Sequence, residues 1–158
     1  RLTKEEFEQG RTRLRMLLAE RGAQLDGEYY CLHHPDAENP EYRVKCECRK
    51  PRPGLLLQAA AQHGVDLSKS YMVGDDLNDV RAGQAAGCKT ILISHTTALL
   101  IEILQKEKLR PHHIEPNITQ AAHTILQDGE RGDNTIKHTE TPHPNPTTTQ
   151  NKKFINTR

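Results

Sequence analysis

The chain has 158 residues, a net charge of +1, 34% hydrophobic and 4% aromatic residues, and no Trp. That length suits one ordinary domain, and the near-zero charge gives no electrostatic pull toward nucleic acid or an anionic membrane. No apolar run approaches a membrane span, the first residues are charged rather than signal-like, and a mean hydropathy of -0.79 leaves room for an unfolded segment.

The first element is an amphipathic helix over residues 1–21. Thr3 with Glu6 fits a capping box, Phe7, Leu14, Leu17 and Leu18 recur on one face, and Gly22 ends it. A short strand over residues 28–31 follows. Next comes the stretch from Cys31 to Pro53, which holds three of the four cysteines. They fall as Cys31-x-His33 and Cys46-x-Cys48, with twelve residues between the pairs. Residues two apart in an extended segment project to one side, so each pair forms a chelating arm. Three thiolates and one imidazole are the ligand set of a closed structural zinc site. Pro35, Asn39 and Pro40 belong to the loop that lets the arms meet, and His34 should face away from His33. The plainer alternative is a set of ordinary core or surface cysteines. Thiolate ligands need reducing conditions, so a cytoplasmic protein is expected.

Arg49 and Lys50 follow the last ligand directly, and Pro51, Pro53 and Gly54 lead into an apolar helix. A metal that pins Cys48 fixes the backbone carrying both cations. Two fixed cations beside a helix N-terminus suit phosphate, although a solvated basic patch would look the same. The helix over residues 54–63 turns Leu55, Leu56, Ala59 and Ala60 inward and closes at Gly64. A turn begun by Asp66 or Ser68 leads to a strand over residues 70–73. Gly74-Asp75-Asp76 breaks that strand, and a helix over residues 77–86 stops at Gly87. Cys88 is expected as a buried small hydrophobe. A buried strand over residues 89–94, a helix over 97–109, a short strand around Ile114 and a helix over 118–127 complete the pattern. Helices alternating with short apolar strands indicate an α/β domain with a parallel sheet. From Asp128 to Arg158 the chain is rich in Thr, Pro and Asn and poor in apolar residues, so that tail is expected to be disordered.

In an open α/β sheet, ligands sit at the carboxyl ends of strands, and Val73-Gly74-Asp75-Asp76 occupies such an end. Adjacent carboxylates facing the Arg49-Lys50 loop favour a magnesium ion that bridges to phosphate. Asp79 is suited to orient the turn from behind. The alternative is plain helix capping by Asp76 and Asn78. Joined to a cationic anchor, the turn points to magnesium-assisted phosphoryl transfer.

The motifs C-L-H-H-P, C-E-C-R-K-P-R-P-G and Y-M-V-G-D-D-L-N-D-V-R-A-G together resemble the haloacid dehalogenase superfamily of phosphatases, in its branch with a zinc loop. The resemblance covers residues 2–127. It implies a Rossmann-like parallel sheet flanked by helices, with a zinc-binding loop held by Cys31, His33, Cys46 and Cys48. It also implies that Lys50 stabilises the transferring phosphoryl group, Arg49 recognises substrate, Asp75 binds magnesium and Asp76 lines the site. The implied reaction removes the 7-phosphate of a heptose 1,7-bisphosphate through an aspartyl-phosphate, with histidinol phosphate as the alternative substrate. The implied partner is a sugar phosphate, with no nucleic acid and no membrane, and a monomer is expected. One feature departs from the family: its nucleophile lies in a D-x-D motif on the first strand, and no D-x-D occurs in this sequence. The chain thus resembles the C-terminal part of such a phosphatase, residues 1–127, without its first strands. The expectation from this departure is an inactive phosphatase piece or, alternatively, a non-catalytic zinc-stabilised domain for phosphate binding or assembly. The tail, residues 128–158, suits a disrupted or fused end and an added linker equally.

Overall fold

The computed structural model describes residues 3–133 and 155–157. Helix α1 spans Lys4–Ala19. Its capping box forms as the sequence implies: Thr3 Oγ1 accepts the Glu6 N–H at 3.1 Å, and Glu6 Oε2 accepts the Thr3 N–H at 2.7 Å. Gly22, at φ +69°, ends the segment in the left-handed region. The apolar face of α1 is only partly covered, with Phe7, Leu17 and Leu18 half-buried. The helix has no buried residue, and Leu14 and Met16 are 37% and 52% exposed. Charge and a ring contact help hold α1. Strand β1, Gly27–Tyr29, supplies Glu28, whose carboxylate accepts Arg15 Nε at 2.5 Å, Tyr30 Oη at 2.7 Å and Arg11 Nε at 3.0 Å. Phe7 meets Tyr30 edge to face at 4.9 Å.

Helix α2, Gly54–His63, buries Leu55, Leu56 and Ala59 and closes on left-handed Gly64. Strand β2, Tyr71–Gly74, helix α3, Leu77–Ala85, and strand β3, Lys89–Ile93, follow with short connections. Helix α4 is Ala98–Lys106, strand β4 is His113–Glu115, and helix α5 is Ile118–Asp133. Helix α4 stops short of the expected Leu109 because Lys108 takes φ +51°, which no helix continues through. Strands β2, β3 and β4 form one parallel sheet in that order, Tyr71 opposite Lys89 and Ile91 opposite His113. This is the expected parallel α/β arrangement. Ile91 and Leu92 are almost fully enclosed, each burial stabilising by about 1.5–3 kcal/mol. Val80 and Leu92 pack with Leu104 and Leu109, while Leu56, Met72, Ala82 and Cys88 form a second cluster. Cys88 is therefore the buried small side chain expected, and burial pushes its thiol pKa up. No helix among the described residues is long and apolar enough to cross a membrane.

The expected disordered segment from Asp128 onward needs correction at both ends. Helix α5 runs on to Asp133, and Ile155–Thr157 form strand β5, parallel to β1 with Gly27 opposite Ile155. Asp128 is the reason the helix does not stop. It accepts Tyr71 Oη at 2.5 Å and Lys89 Nζ at 3.1 Å, and His113 Nε2 lies 3.7 Å away. Tyr71, Lys89 and His113 each open a strand of the sheet, so one carboxylate ties α5 across all three amino ends. Tyr71 first, then Lys89, lowers the Asp128 pKa. The remainder of the expected tail, residues 134–154 and 158, lies outside the described residues.

Two stability predictions follow from this packing. The Arg15 hydrogen bond, then those of Tyr30 and Arg11, outweigh burial and lower the Glu28 pKa from 4.5 to about 2. A depressed carboxylate contributes stability that is present above its unfolded value and lost as pH falls through the folded one. Glu28→Gln should therefore cost about 1–2 kcal/mol at neutral pH and flatten the loss of stability between pH 4.5 and 2, read by denaturant melts at several pH values. At the end of β2, a Cβ on Gly74 would sit 2.4 Å from Asp79 Cβ, a contact that helix α3 cannot relieve by a side-chain rotation. Gly74→Ala is expected to destabilise by about 1–3 kcal/mol, seen as a lowered thermal midpoint.

Candidate functional site

Cys31 and His33 leave the end of β1, and the loop behind them is stapled to itself. Arg43 Nε donates to Ala37 O at 2.8 Å and Arg43 Nη2 to Glu38 O at 3.3 Å, while Asn39 caps a single 3-10 turn, Pro40–Tyr42. This returns the chain so that Cys46 and Cys48 meet the first pair. Cys31 Sγ lies 3.6 Å from Cys46 Sγ and 3.2 Å from Cys48 Sγ, and His33 Nδ1 lies 3.7 Å and 3.4 Å from the sulfurs of Cys31 and Cys48. All four donor atoms fall within 4.8 Å of one another, a set that could hold a metal ion. His34 stays out of it: its Nδ1 accepts the Asp36 N–H at 3.1 Å. The expected extended arms are not strands, since β1 ends at Tyr29 and residues 46–48 lie in coil and bend. Loop closure, rather than a pleat, brings the sulfurs to one side. Burial opposes ionisation of Cys46, yet hydrogen bonds from Cys48 and Cys31 outweigh it and lower the thiol to about 6. Burial and those same neighbouring sulfurs push Cys48 up to about 12. Cys46 is thus the readily ionised thiol, while Cys48 stays protonated.

The segment after Cys48 folds into a tight knuckle. Gly54 N donates to Glu47 O at 3.0 Å, and a Cβ on Gly54 would sit 2.3 Å from that carbonyl oxygen. Only glycine permits so close an approach. Arg52 donates to Cys46 O, and Arg49 Nη1 donates to His33 O at 2.8 Å. Arg49 is thereby turned onto the backbone of His33. Lys50 points the other way, its ammonium paired with Oδ1 of Asp79.

Asp79 belongs to the acidic turn. Asp75 and Asp76 follow Gly74 at the carboxyl end of β2, both exposed. Asp76 does cap α3: its Oδ1 accepts the Asn78 N–H at 2.6 Å, and Asp79 Oδ2 accepts the Asp76 N–H at 3.1 Å. The capping alternative is correct for Asp76, but Asn78 is the recipient of the cap rather than a second one. Asp79, 4% exposed, holds the turn from within and reaches the Lys50 ammonium. The structure thus gathers Cys31, His33, Cys46, Cys48, Arg49, Lys50, Asp75 and Asp76 into two adjoining places. The thiol and imidazole cluster is one. The other is a crevice of about 470 Å³ lined by Arg49, Lys50, Asp75, Asp76, Asn78 and Asp79, with Cys31 and Cys48 shared between the two. A second, shallower groove runs along α1, but a single helix lines it and no convergent charges meet there. The pairing of Asp79 with Lys50 and the place of Asn78 in the crevice were not read from the sequence. The Asp76-x-x-Asp79 spacing of a reciprocal cap was the signal available for the first.

Comparison with known proteins agrees with this geometry. A protein-family model described as HAD-hydrolase-like matches residues 47–121. D-glycero-beta-D-manno-heptose-1,7-bisphosphate 7-phosphatases from Photorhabdus laumondii and Yersinia pestis are 47% and 49% identical over 79 residues, 50% of this chain and 42% of each relative. The matched stretch of this chain thus spans well under half the length of these curated relatives. A crystal structure of D,D-heptose 1,7-bisphosphate phosphatase from B. bronchiseptica, complexed with magnesium and phosphate, superposes with a TM-score of 0.63 at 28% identity, covering 79% of this chain and 65% of that one. A HAD-like phosphatase structure from Mesorhizobium loti, 24% identical with a TM-score of 0.57, shares the fold. Residues 47–121 are thus similar to the HAD-like hydrolases, and the fold is shared with solved phosphatases of that kind.

Proposed function

We propose that this chain carries the phosphate-anchoring and metal-holding part of a magnesium-dependent phosphomonoesterase acting on a sugar bisphosphate, with the 7-phosphate of D-glycero-D-manno-heptose 1,7-bisphosphate as its substrate group. The observation that carries this reading is the convergence of Arg49-Lys50 and Gly74-Asp75-Asp76 on one crevice. The names of the relatives support the heptose over histidinol phosphate.

Each residue has a task that its setting suits. Lys50, oriented by Asp79, is a point charge for a phosphoryl oxygen. Arg49 is held by His33 O beside it and contributes its remaining donors to substrate recognition. Asp75 offers a hard oxygen ligand for magnesium, which when bound neutralises phosphate charge. Asp76 lines the crevice while capping α3. Two cations face three carboxylates there. The crevice is therefore not attractive to phosphate until a divalent cation changes the balance. For the other site we propose structural zinc bound by Cys31, His33, Cys46 and Cys48. Zinc–sulfur bonds of about 2.3 Å in a tetrahedron separate sulfurs by about 3.8 Å, near the observed 3.6 Å and 3.2 Å. Residues 1–158 contain no D-x-D, so by themselves they would hold phosphate without the nucleophile of an aspartyl-phosphate route.

Zinc is tested by metal analysis of protein purified without chelator, with one zinc per chain expected. Because structural zinc contributes folding energy, Cys46→Ser should lower metal content and thermal midpoint together; full occupancy in a Cys31, Cys46 double variant would overturn the assignment. For activity, the isolated chain should bind inorganic phosphate only with magnesium and release negligible phosphate from heptose bisphosphate. Fusing an amino-terminal segment with D-x-D from a curated relative should restore turnover, and Lys50→Ala or Asp75→Ala should remove it, since the nucleophile and its supporting groups act as a unit. Robust hydrolysis by residues 1–158 that survives Asp75→Ala would sink the mechanism.

A further inference from the structure

Cys31 and Cys48 belong to both neighbouring sites. They supply two sulfurs of the thiol and imidazole cluster, and they line the crevice beside Arg49, Lys50, Asp75 and Asp76. Cys31 Sγ lies nearer to Cys48 Sγ, at 3.2 Å, than to Cys46 Sγ, at 3.6 Å. Both residues are only half-buried, so a small solute that enters the crevice reaches their sulfurs. Cys88 differs in each respect: it is buried with Leu56, Met72 and Ala82 and stands outside the cluster.

The cationic anchor is built on the backbone of this same cluster. Arg49 follows Cys48 directly, and its Nη1 donates to the His33 carbonyl at 2.8 Å. Lys50 instead pairs with Asp79 of α3. A change at the sulfurs therefore reaches Arg49 first.

Two adjacent, accessible thiols are a substrate for hydrogen peroxide. One sulfur attacks the O–O bond, which breaks to give a sulfenic acid and one water; the second sulfur then displaces the sulfenic oxygen as another water. Together the thiols lose two electrons and two hydrogens, and one S–S bond forms. A cation at the cluster would keep only Cys46 and His33, short of the four ligands of a structural zinc site.

We infer that the Cys31–Cys48 pair is a peroxide-sensitive switch: its oxidation to a disulfide expels the metal of the cluster, releases His33 and with it Arg49, and so weakens anion binding in the crevice. A dithiol reverses the step, its own thiols being oxidised as the disulfide is reduced. The inference rests on the zinc and phosphate readings proposed above.

The test exposes the 158-residue chain, purified with its metal, to a small excess of hydrogen peroxide. A colorimetric chelator should report zinc release, and the mass of the metal-free chain should fall by that of two hydrogens. Proteolysis after Glu47, which separates Cys46 from Cys48, should yield a Cys31 peptide joined to a Cys48 peptide. Inorganic phosphate, titrated in magnesium by nuclear magnetic resonance, should bind the oxidised chain roughly tenfold more weakly, the size of one charge-assisted hydrogen bond. Dithiothreitol with added zinc should restore it. Arg49→Met should already show that loss, with oxidation adding little, and Cys88→Ala should respond as the wild type does. Resonances of Ile91 and Leu92 should stay in place, since general unfolding on oxidation overturns a local release of Arg49. A disulfide through Cys46, or oxidation with no disulfide, overturns the assigned pair. A Cys31–Cys48 disulfide that leaves phosphate affinity unchanged overturns the switch, while the zinc and phosphate readings stand. A chain that carries no zinc, or that binds no phosphate when reduced, overturns the reading beneath and the inference with it.

Discussion

The ion pair between Lys50 and the buried carboxylate of Asp79 joins the two halves of the site. Lys50 comes from the knuckle that follows the cysteine cluster, and Asp79 from the first turn of α3. Removing either partner would leave an uncompensated charge beside the core, a far larger cost than losing an exposed pair. The pair therefore fixes the distance between the cationic loop and the acidic turn. It also sets terms for any phosphate that enters. Lys50 is not a free cation waiting in solvent; a ligand oxygen has to share it with Asp79, so attraction to anions is moderated and directional.

Packing reinforces that junction. Leu55 and Leu56 are neighbours on α2, yet they serve different clusters. Leu55 packs with Tyr29 and Ala59, against which Cys31 and Cys48 lie, while Leu56 packs with Met72, Ala82 and Cys88 of the sheet and α3. One helix thus carries the sulfur cluster on one side and the strand leading to the acidic turn on the other. The crevice sits at the seam between these clusters, where side chains from separate packing units face one another.

Much of this was legible in the chain. Local signals were strong where a single residue type decides the backbone: the Thr3–Glu6 box, Gly64 after α2, Gly74 before the acidic turn, and the apolar run of β3. The cysteine spacing located the cluster of Cys31, His33, Cys46 and Cys48, although its arms proved to be loops. Three things were hidden because they depend on long-range neighbours. The face of α1 looked amphipathic, but α1 is held through Glu28 by arginines spaced along it. Asp128 looked like the start of a polar tail, but Tyr71 and Lys89 wait at the foot of the sheet. Asn78 looked like a capping residue, but its side chain accepts from Arg81, which pairs with Glu107.

The pairing of β1 with β5 has an entropic consequence. Within the larger sheet, Tyr71 finds Lys89 and Ile91 finds His113, partners close along the chain that need only short crossovers. Gly27 finds Ile155, almost the whole sequence away. Loop-closure entropy must be met before such a distant contact returns anything. The three-stranded sheet closes only short crossovers, whereas the β1–β5 ladder closes by far the longest loop between described strands and carries the largest closure cost.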